Sequence, residues 1–268
     1  MALDPETLLR EAKALQEELV ALRRDIHAHP ELGSCEVRTT ALIKKYLEEL
    51  GIEVRPCTET GVLGILYGGK PGKTIGLRAD IDALPIQEET GLPFASKNAG
   101  VMHACGHDLH TASLMGAAKI LSAHRDALCG NVKFFFQPDE EGNGGAERMV
   151  RAGCLQGPDV DAVFGGHSST GRIAGHYGLK YGKTYAASNP FTILIRGQGC
   201  HGAYPGSGID SIAVACQVVA ALQTLVSRRI FATDSAVVTV GSFHAGTAGN
   251  IIAGEAELKG IIRTLGPE

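Results

Sequence analysis

Apolar residues recur at helical spacing from the start of the chain, at Leu8, Leu15, Leu19, Leu22 and Ile26, with Glu, Lys and Arg between them. Such a stripe predicts an amphipathic helix over 5–27. A second stretch of this kind over 39–50 is closed by Gly51. The pattern then changes. Apolar runs over 61–68 and 74–79 predict strands, with GGKPGK between them as a turn. An Ala-rich apolar stretch over 109–124 predicts a helix, 131–136 a strand, 145–152 a short helix and 160–164 another strand. Strands alternating with helices predict an α/β domain in layers, with a largely parallel or mixed central sheet. Past Gly182 the order is a strand over 191–196, a long helix over 211–227, and strands over 236–243 and 256–263. That order predicts a smaller α+β unit. The expected division is a larger domain over 1–184 and a smaller one over 185–268.

Composition narrows the partners. The 268 residues carry 20% charged side chains and a net charge of −4. A nucleic-acid binder usually presents a basic stripe, so no nucleic-acid partner is expected. The seven cysteines (35, 57, 105, 129, 154, 200 and 216) are an odd number without a CxxC pair. Disulfide-dense secreted domains are shorter and carry even counts, which favours a reducing compartment. The N-terminal stretch is charged throughout and lacks the layout of a signal peptide. No apolar run is expected to be long enough to span a bilayer. The expectation is a soluble cytoplasmic protein with no membrane partner.

Three predicted strands end in polar residues that their apolar bodies do not require. The first runs into Asp80-Ile81-Asp82, the second into Gln137-Pro138-Asp139-Glu140-Glu141, and the third into Gly165-Gly166-His167. Ligands of open α/β sheets bind outside the carboxyl ends of the strands. If the three strands are parallel neighbours, these residues meet in one crevice. The densest cluster, Met102 to His110 (MHACGHDLH), opens the helix over 109–124. A thiolate and an imidazole together suit zinc and similar ions, and Asp108 could orient a ligating imidazole. A single histidine here would usually be a surface group. Three His, one Cys and one Asp in eight residues favour a metal site. Of the adjacent Glu140 and Glu141, one could bind metal while the other takes a proton from water. His201, Asn250 and Arg263 stand in Gly-rich loops or at a strand end; taken singly, each reads as an ordinary surface or turn residue, though Arg263 could grip a carboxylate.

Taken together, RRDIHAHPELG, LRADIDALP, MHACGHDLHTA, FFFQPDEEGNGGA, GCHGAYP and LKGIIRTL resemble the aminoacylase/carboxypeptidase G superfamily of dinuclear metallohydrolases. The nearest branch contains hippurate hydrolases, N-acyl-amino-acid amidohydrolases and auxin-conjugate hydrolases. The resemblance implies a catalytic domain of three layers and a lid domain that carries a dimer contact. It implies hydrolysis of the amide bond of N-acyl amino acids by two divalent ions (manganese, zinc, cobalt or nickel). Cys105, His107, Glu141 and His167 match metal ligands, with Cys105 as the bridging thiolate. Glu140 matches the general base, and Asp80 a carboxylate that supports the site. His201 matches a lid residue that reaches a partner subunit's site, and Asn250 and Arg263 match residues that hold the substrate carboxylate. Homodimers or larger homo-oligomers are implied. Departures are Asp139 in place of a small residue, Ser168-Ser169-Thr170 after His167, and Ala253 in place of a proline. Family members also run on for more than a hundred further residues, which complete the lid and add a last His ligand. The expectation is therefore a truncated chain, and the alternative to an enzyme is an inactive homologue with a metal-binding or interaction role. A redox or metal-buffer role for Cys105 is a third reading.

Overall fold

The structure is a computed structural model that describes residues 4–142 and 144–266. The chain divides into two compact units, one up to Ile173 and one from Ala174 onward. This division falls ahead of the expected boundary at 184/185.

In the first unit, the stripe of the N-terminal segment forms two helices, α1 (Pro5–Ala14) and α2 (Gln16–Ala28), broken at Leu15. Asp4 caps α1 by accepting from the Glu6 and Thr7 N–H groups, and Pro5 opens it. Helix α3 covers Val37–Glu49. The strands are β1 (Glu53–Pro56), β2 (Val62–Tyr67), β3 (Lys70–Asp80), β4 (Cys129–Gln137) and β5 (Ala162–Gly165). Helix α4 (His107–Ala123) joins β3 to β4, and α5 (Gly145–Arg151) joins β4 to β5. The sheet order is β1-β2-β4-β3-β5. β3 is parallel to both β4 and β5, whereas β2 is antiparallel to β4 and to β1, so the sheet is mixed.

One departure from the expected elements concerns GGKPGK. It does not form a hairpin turn between neighbouring strands. The Gly68 N–H donates to Gly130 O at 3.0 Å and the Lys70 N–H to Leu128 O at 3.1 Å, so this segment passes the start of β4 and enters β3 on its far side.

Strand alternation sends side chains to two faces. Phe134 and Phe136 face one core with Ile26, Ile43, Leu47, Val62, Leu66 and Met115, from helices α2 to α4 and β2. Phe135 faces the other with Leu63, Ile65 and Met149, under α5. Helix, sheet and helix thus form three layers.

In the second unit, β6 (Ala187–Arg196), β8 (Ala236–Ala245) and β10 (Glu255–Thr264) form an antiparallel sheet in the order β6-β10-β8. Helix α6 (Ser211–Arg229) is capped by Asp210 and packs on it through Ala215, Val218 and Val219 against Leu258 and Ile193. β7 (Cys200–His201) and β9 (Ile251–Ile252) pair in a separate two-stranded antiparallel ribbon. Helix α6 corrects one sequence expectation: by length and composition alone it is apolar enough to cross a membrane. Gln217, Thr224 and Ser227 interrupt its apolar run without lowering its mean hydropathy below that of a span.

Candidate metal centre

The three strand ends meet as parallel neighbours. In register, Asp80 lies opposite Gln137, and Arg78 lies opposite Gly165. The segments that follow therefore leave the sheet side by side. The N-terminus of α4 points into the same place, because Thr111 Oγ1 donates to Asp80 O at 3.0 Å.

Cys105 and His107 stand on either side of Gly106, whose φ is +83°. This left-handed conformation costs a Cβ-bearing residue more than glycine, and a Cβ here would also meet the Ser168 side chain. The turn brings both flanking side chains to one site, which a continuous helix would not. Cys105 Sγ lies 3.3 Å from His167 Nε2. His107 is buried, and its Nδ1 lies 2.9 Å from Asp82 O and 3.1 Å from Asp82 Oδ1. Asp82 in turn accepts from the Glu141 N–H at 3.0 Å. With Nδ1 engaged, the buried His107 Nε2 is left without a hydrogen-bond partner. It lies 3.6 Å from Asp80 Oδ2 and 3.9 Å from Glu141 Oε1.

A buried, unpartnered imidazole nitrogen is costly unless something ligates it. Its neighbours supply what a cation needs. Three groups have ligand atoms within 4.8 Å of one another: Cys105 with His107 and His167, His107 with Glu140 and Glu141, and Asp80 with His107 and His110. All three share His107. A donor set of thiol, imidazole and carboxylate fits zinc and similar borderline ions.

Electrostatics agree with this reading. Burial raises the Cys105 thiol pKa, and Glu141 adds to it, to about 12. Partial burial and the charges of Glu141 and Asp80 push the Glu140 carboxyl above its usual range. Burial opposes ionisation of Asp80, but His110 and Arg78 outweigh it and bring the pKa down to about 2. His110 Nδ1 lies 2.6 Å from Asp80 Oδ1, and Arg78 Nη1 lies 2.6 Å from Asp80 Oδ2. The pKa of His107 is raised despite burial, because Asp82 and Asp80 favour its charged form.

Asp82, His110 and Arg78 were not assigned from sequence. The available signals were the Asp-x-Asp alternation at the end of β3 and the placement of His110 three residues after His107, on one face of α4. Asp139, which stands in place of a small residue, is buried, with a φ of +51°, and it pairs with Arg148 at 2.8 Å and accepts from Ser34 Oγ at 2.9 Å.

Behind the cluster, Asp108 is buried and forms ion pairs with Arg23, at 2.6 Å from Nε, and with His27 at 2.8 Å. A cavity of about 1150 Å³ runs from Cys105 and His167 past His103 to Arg24 and Phe94. Burial lowers His103 to about 4, so its ring is neutral.

The second unit holds the remaining predicted residues. His201 pairs with Ile251 across the ribbon, and the Gly202 N–H donates to Asn250 O at 2.8 Å, so His201 and Asn250 are neighbours. Arg263 is exposed and lies opposite Ser188, near the other end of β10. It stands eight residues beyond Glu255, roughly 26 Å along the strand. The structure does not bring Arg263 to Asn250 within one copy.

A layered α/β unit with a cluster of metal-ligating side chains at the carboxyl ends of parallel strands defines a class of metallohydrolase folds. The chain belongs to peptidase family M20/M25/M40, whose model matches residues 76–263. It is 46% identical over 255 residues to the N-acetyl-L-cysteine deacetylase of Bacillus subtilis, covering 95% of this chain and 61% of that protein. It is 44% identical to the hippurate hydrolase of Campylobacter jejuni, covering 97% of this chain and 68% of that protein. The crystal structure of the Bacillus subtilis YXEP protein, described as a dinuclear metal binding peptidase of the M20 family, matches with a TM-score of 0.76 and 43% identity. That match covers 95% of this chain and 66% of the other. The chain thus spans about two thirds of the length of these relatives, or less.

Proposed function

We propose that the protein is a metal-dependent amidohydrolase that cleaves N-acyl amino acids, hippurate-like substrates among them, to a carboxylic acid and a free amino acid. The observation that carries this reading is the buried, unpartnered His107 Nε2, ringed by Asp80, Glu141 and the Cys105–His167 pair, with Glu140 beside it. The names of the relatives, a deacetylase and a hippurate hydrolase, support the substrate class.

Cys105, His107, Glu141 and His167 would hold two divalent ions, for which manganese, zinc, cobalt and nickel all suit the donor set. When bound, these ions would polarise the scissile carbonyl and acidify water. Asp82 fixes the His107 ring through Nδ1 and so keeps Nε2 turned to the site. Arg78 and His110 hold Asp80 ionised and oriented. The raised Glu140 carboxyl takes a proton from the attacking water and returns it to the leaving amide nitrogen. His201 would stabilise the developing oxyanion, and Asn250 and Arg263 would hold the substrate carboxylate. A homodimer in which His201 of each copy serves the other copy's site belongs to this reading, and Arg263 stands near the opposite end of β10 from the ribbon. The seven unbonded cysteines support a cytoplasmic location.

The test is release of free amino acid from a panel of N-acyl amino acids, with manganese or zinc added and a chelator control. Chelator-sensitive turnover is expected. Glu140→Gln should lower kcat by about a hundredfold to ten-thousandfold while leaving ion content unchanged. Absence of turnover across the panel, in a sample that holds its ions, would overturn the reading.

A further inference from the structure

Away from the metal centre, two cysteines meet under α5. Cys57 follows β1 and Cys154 follows α5. Both are buried, at 2% and 4% exposure, in one apolar cluster with Leu63, Ile65, Phe135 and Met149. The Cys57 thiol donates to Met149 O at 3.8 Å, and the Cys154 N–H donates to the same carbonyl at 3.1 Å. Both residues thus converge on the Met149 carbonyl. Cysteine side chains that converge can be bridged without moving the backbone far, whereas diverging ones cannot.

Their surroundings differ. A cavity of about 220 Å³, walled by Phe135, Met149, Val150 and Leu155, reaches Cys154 and not Cys57. Lys133 is fully buried, and its ammonium donates to Cys154 O at 2.9 Å and to Gln156 O at 2.6 Å. Its charge therefore stands beside Cys154. The neighbouring Cys154 and burial raise the Cys57 thiol, and Cys57 and the Lys133 charge lower that of Cys154. Cys154 is thus the thiol that a small oxidant reaches through the cavity, with a cation beside it.

We propose that Cys57 and Cys154 form a peroxide-reactive modification site that closes an intramolecular disulfide, with Cys154 oxidised first and Cys57 resolving. In the first step the Cys154 sulfur attacks hydrogen peroxide. The O–O bond breaks, a hydroxyl stays on sulfur as sulfenic acid, and the other oxygen leaves as water. In the second step the Cys57 sulfur attacks Cys154. The S–S bond forms, the S–O bond breaks, and the hydroxyl leaves as water with the Cys57 proton. Two thiols and one peroxide give one disulfide and two waters. The bond ties the β1–β2 connection to the turn after α5. That helix begins at Gly145, four residues past Glu141, so oxidation fastens the far end of the segment that carries Glu140 and Glu141. This inference does not depend on the amidohydrolase reading.

The test treats the folded, reduced 268-residue chain with hydrogen peroxide and maps its peptides by mass spectrometry. The expected product is a monomer lighter by two hydrogens, with Cys57 joined to Cys154, reversed by a dithiol reductant. Its thermal midpoint should rise by about 5 °C or more. Cys57→Ser, or Cys57→Ala where serine unfolds the chain, should leave Cys154 as a sulfenic acid that dimedone traps. The wild-type map decides without any variant. A link between other cysteines, or Cys57 and Cys154 still open to alkylation after Cys105 has been oxidised, would overturn the proposal.

Discussion

At the scale of single residues, two titrations give measurable consequences. The Cys105 thiol, raised to about 12, is protonated near neutral pH in the ion-free protein. An ion that binds its thiolate must expel that proton. Zinc binding is expected to release about one proton from Cys105, and apparent affinity should climb with pH. Calorimetry in buffers of different ionisation enthalpy measures this, and Cys105→Ser should lose that release. The second titration is at His27. Its hydrogen bond to Asp108 outweighs burial and raises its pKa above the ordinary 6.5. A raised histidine contributes stability that is complete below 6.5 and is lost as pH rises through the folded-state value. Urea midpoints from about pH 6 to about pH 9 should therefore fall more steeply for the wild type than for His27→Gln.

At the scale of elements, α4 carries both chemistry and core. Its first turn presents His107 and His110 to the site, and Leu114, Met115 and Ala118 behind them are buried. Met115→Ala should cost about 2–5 kcal/mol of stability, whereas Leu109→Ala, at a half-exposed position on the same helix, should cost less than about 1 kcal/mol. Denaturant titration of the two variants checks the contrast. Much of this level was legible in the sequence. The apolar period of α1 to α3, the three consecutive phenylalanines of β4 and the polar residues at three strand ends are local signals. What was hidden is non-local. β1 is short and half polar, so no run of apolar residues marked it. Nothing in GGKPGK says that the next strand lies beyond β4, because strand order depends on pairing with residues sixty positions away. The roles of Asp82 and His110 likewise became visible only once β3 and α4 stood together. For Arg263 the sequence gives no distance, and the length of β10 separates it from Asn250.

At the scale of the whole molecule, each unit has its own apolar cluster and its own sheet. Two calorimetric transitions are expected. Among the described residues every candidate ligand lies in the first unit, so added zinc should raise the transition of that unit and leave the other in place. A single transition that moves as one would show that the units unfold together.

The parallel pairing of β3 with β5 also bears on the order of assembly. Thr74 accepts from the Asp161 N–H, across a loop of nearly ninety residues, and contacts of that span form late because loop closure costs chain entropy first. During synthesis, Cys105 and His107 emerge well before His167, and the last strand of the layer must dock before all the donors face one another. A growing chain therefore carries only part of the ligand set until its final parallel strand is in place.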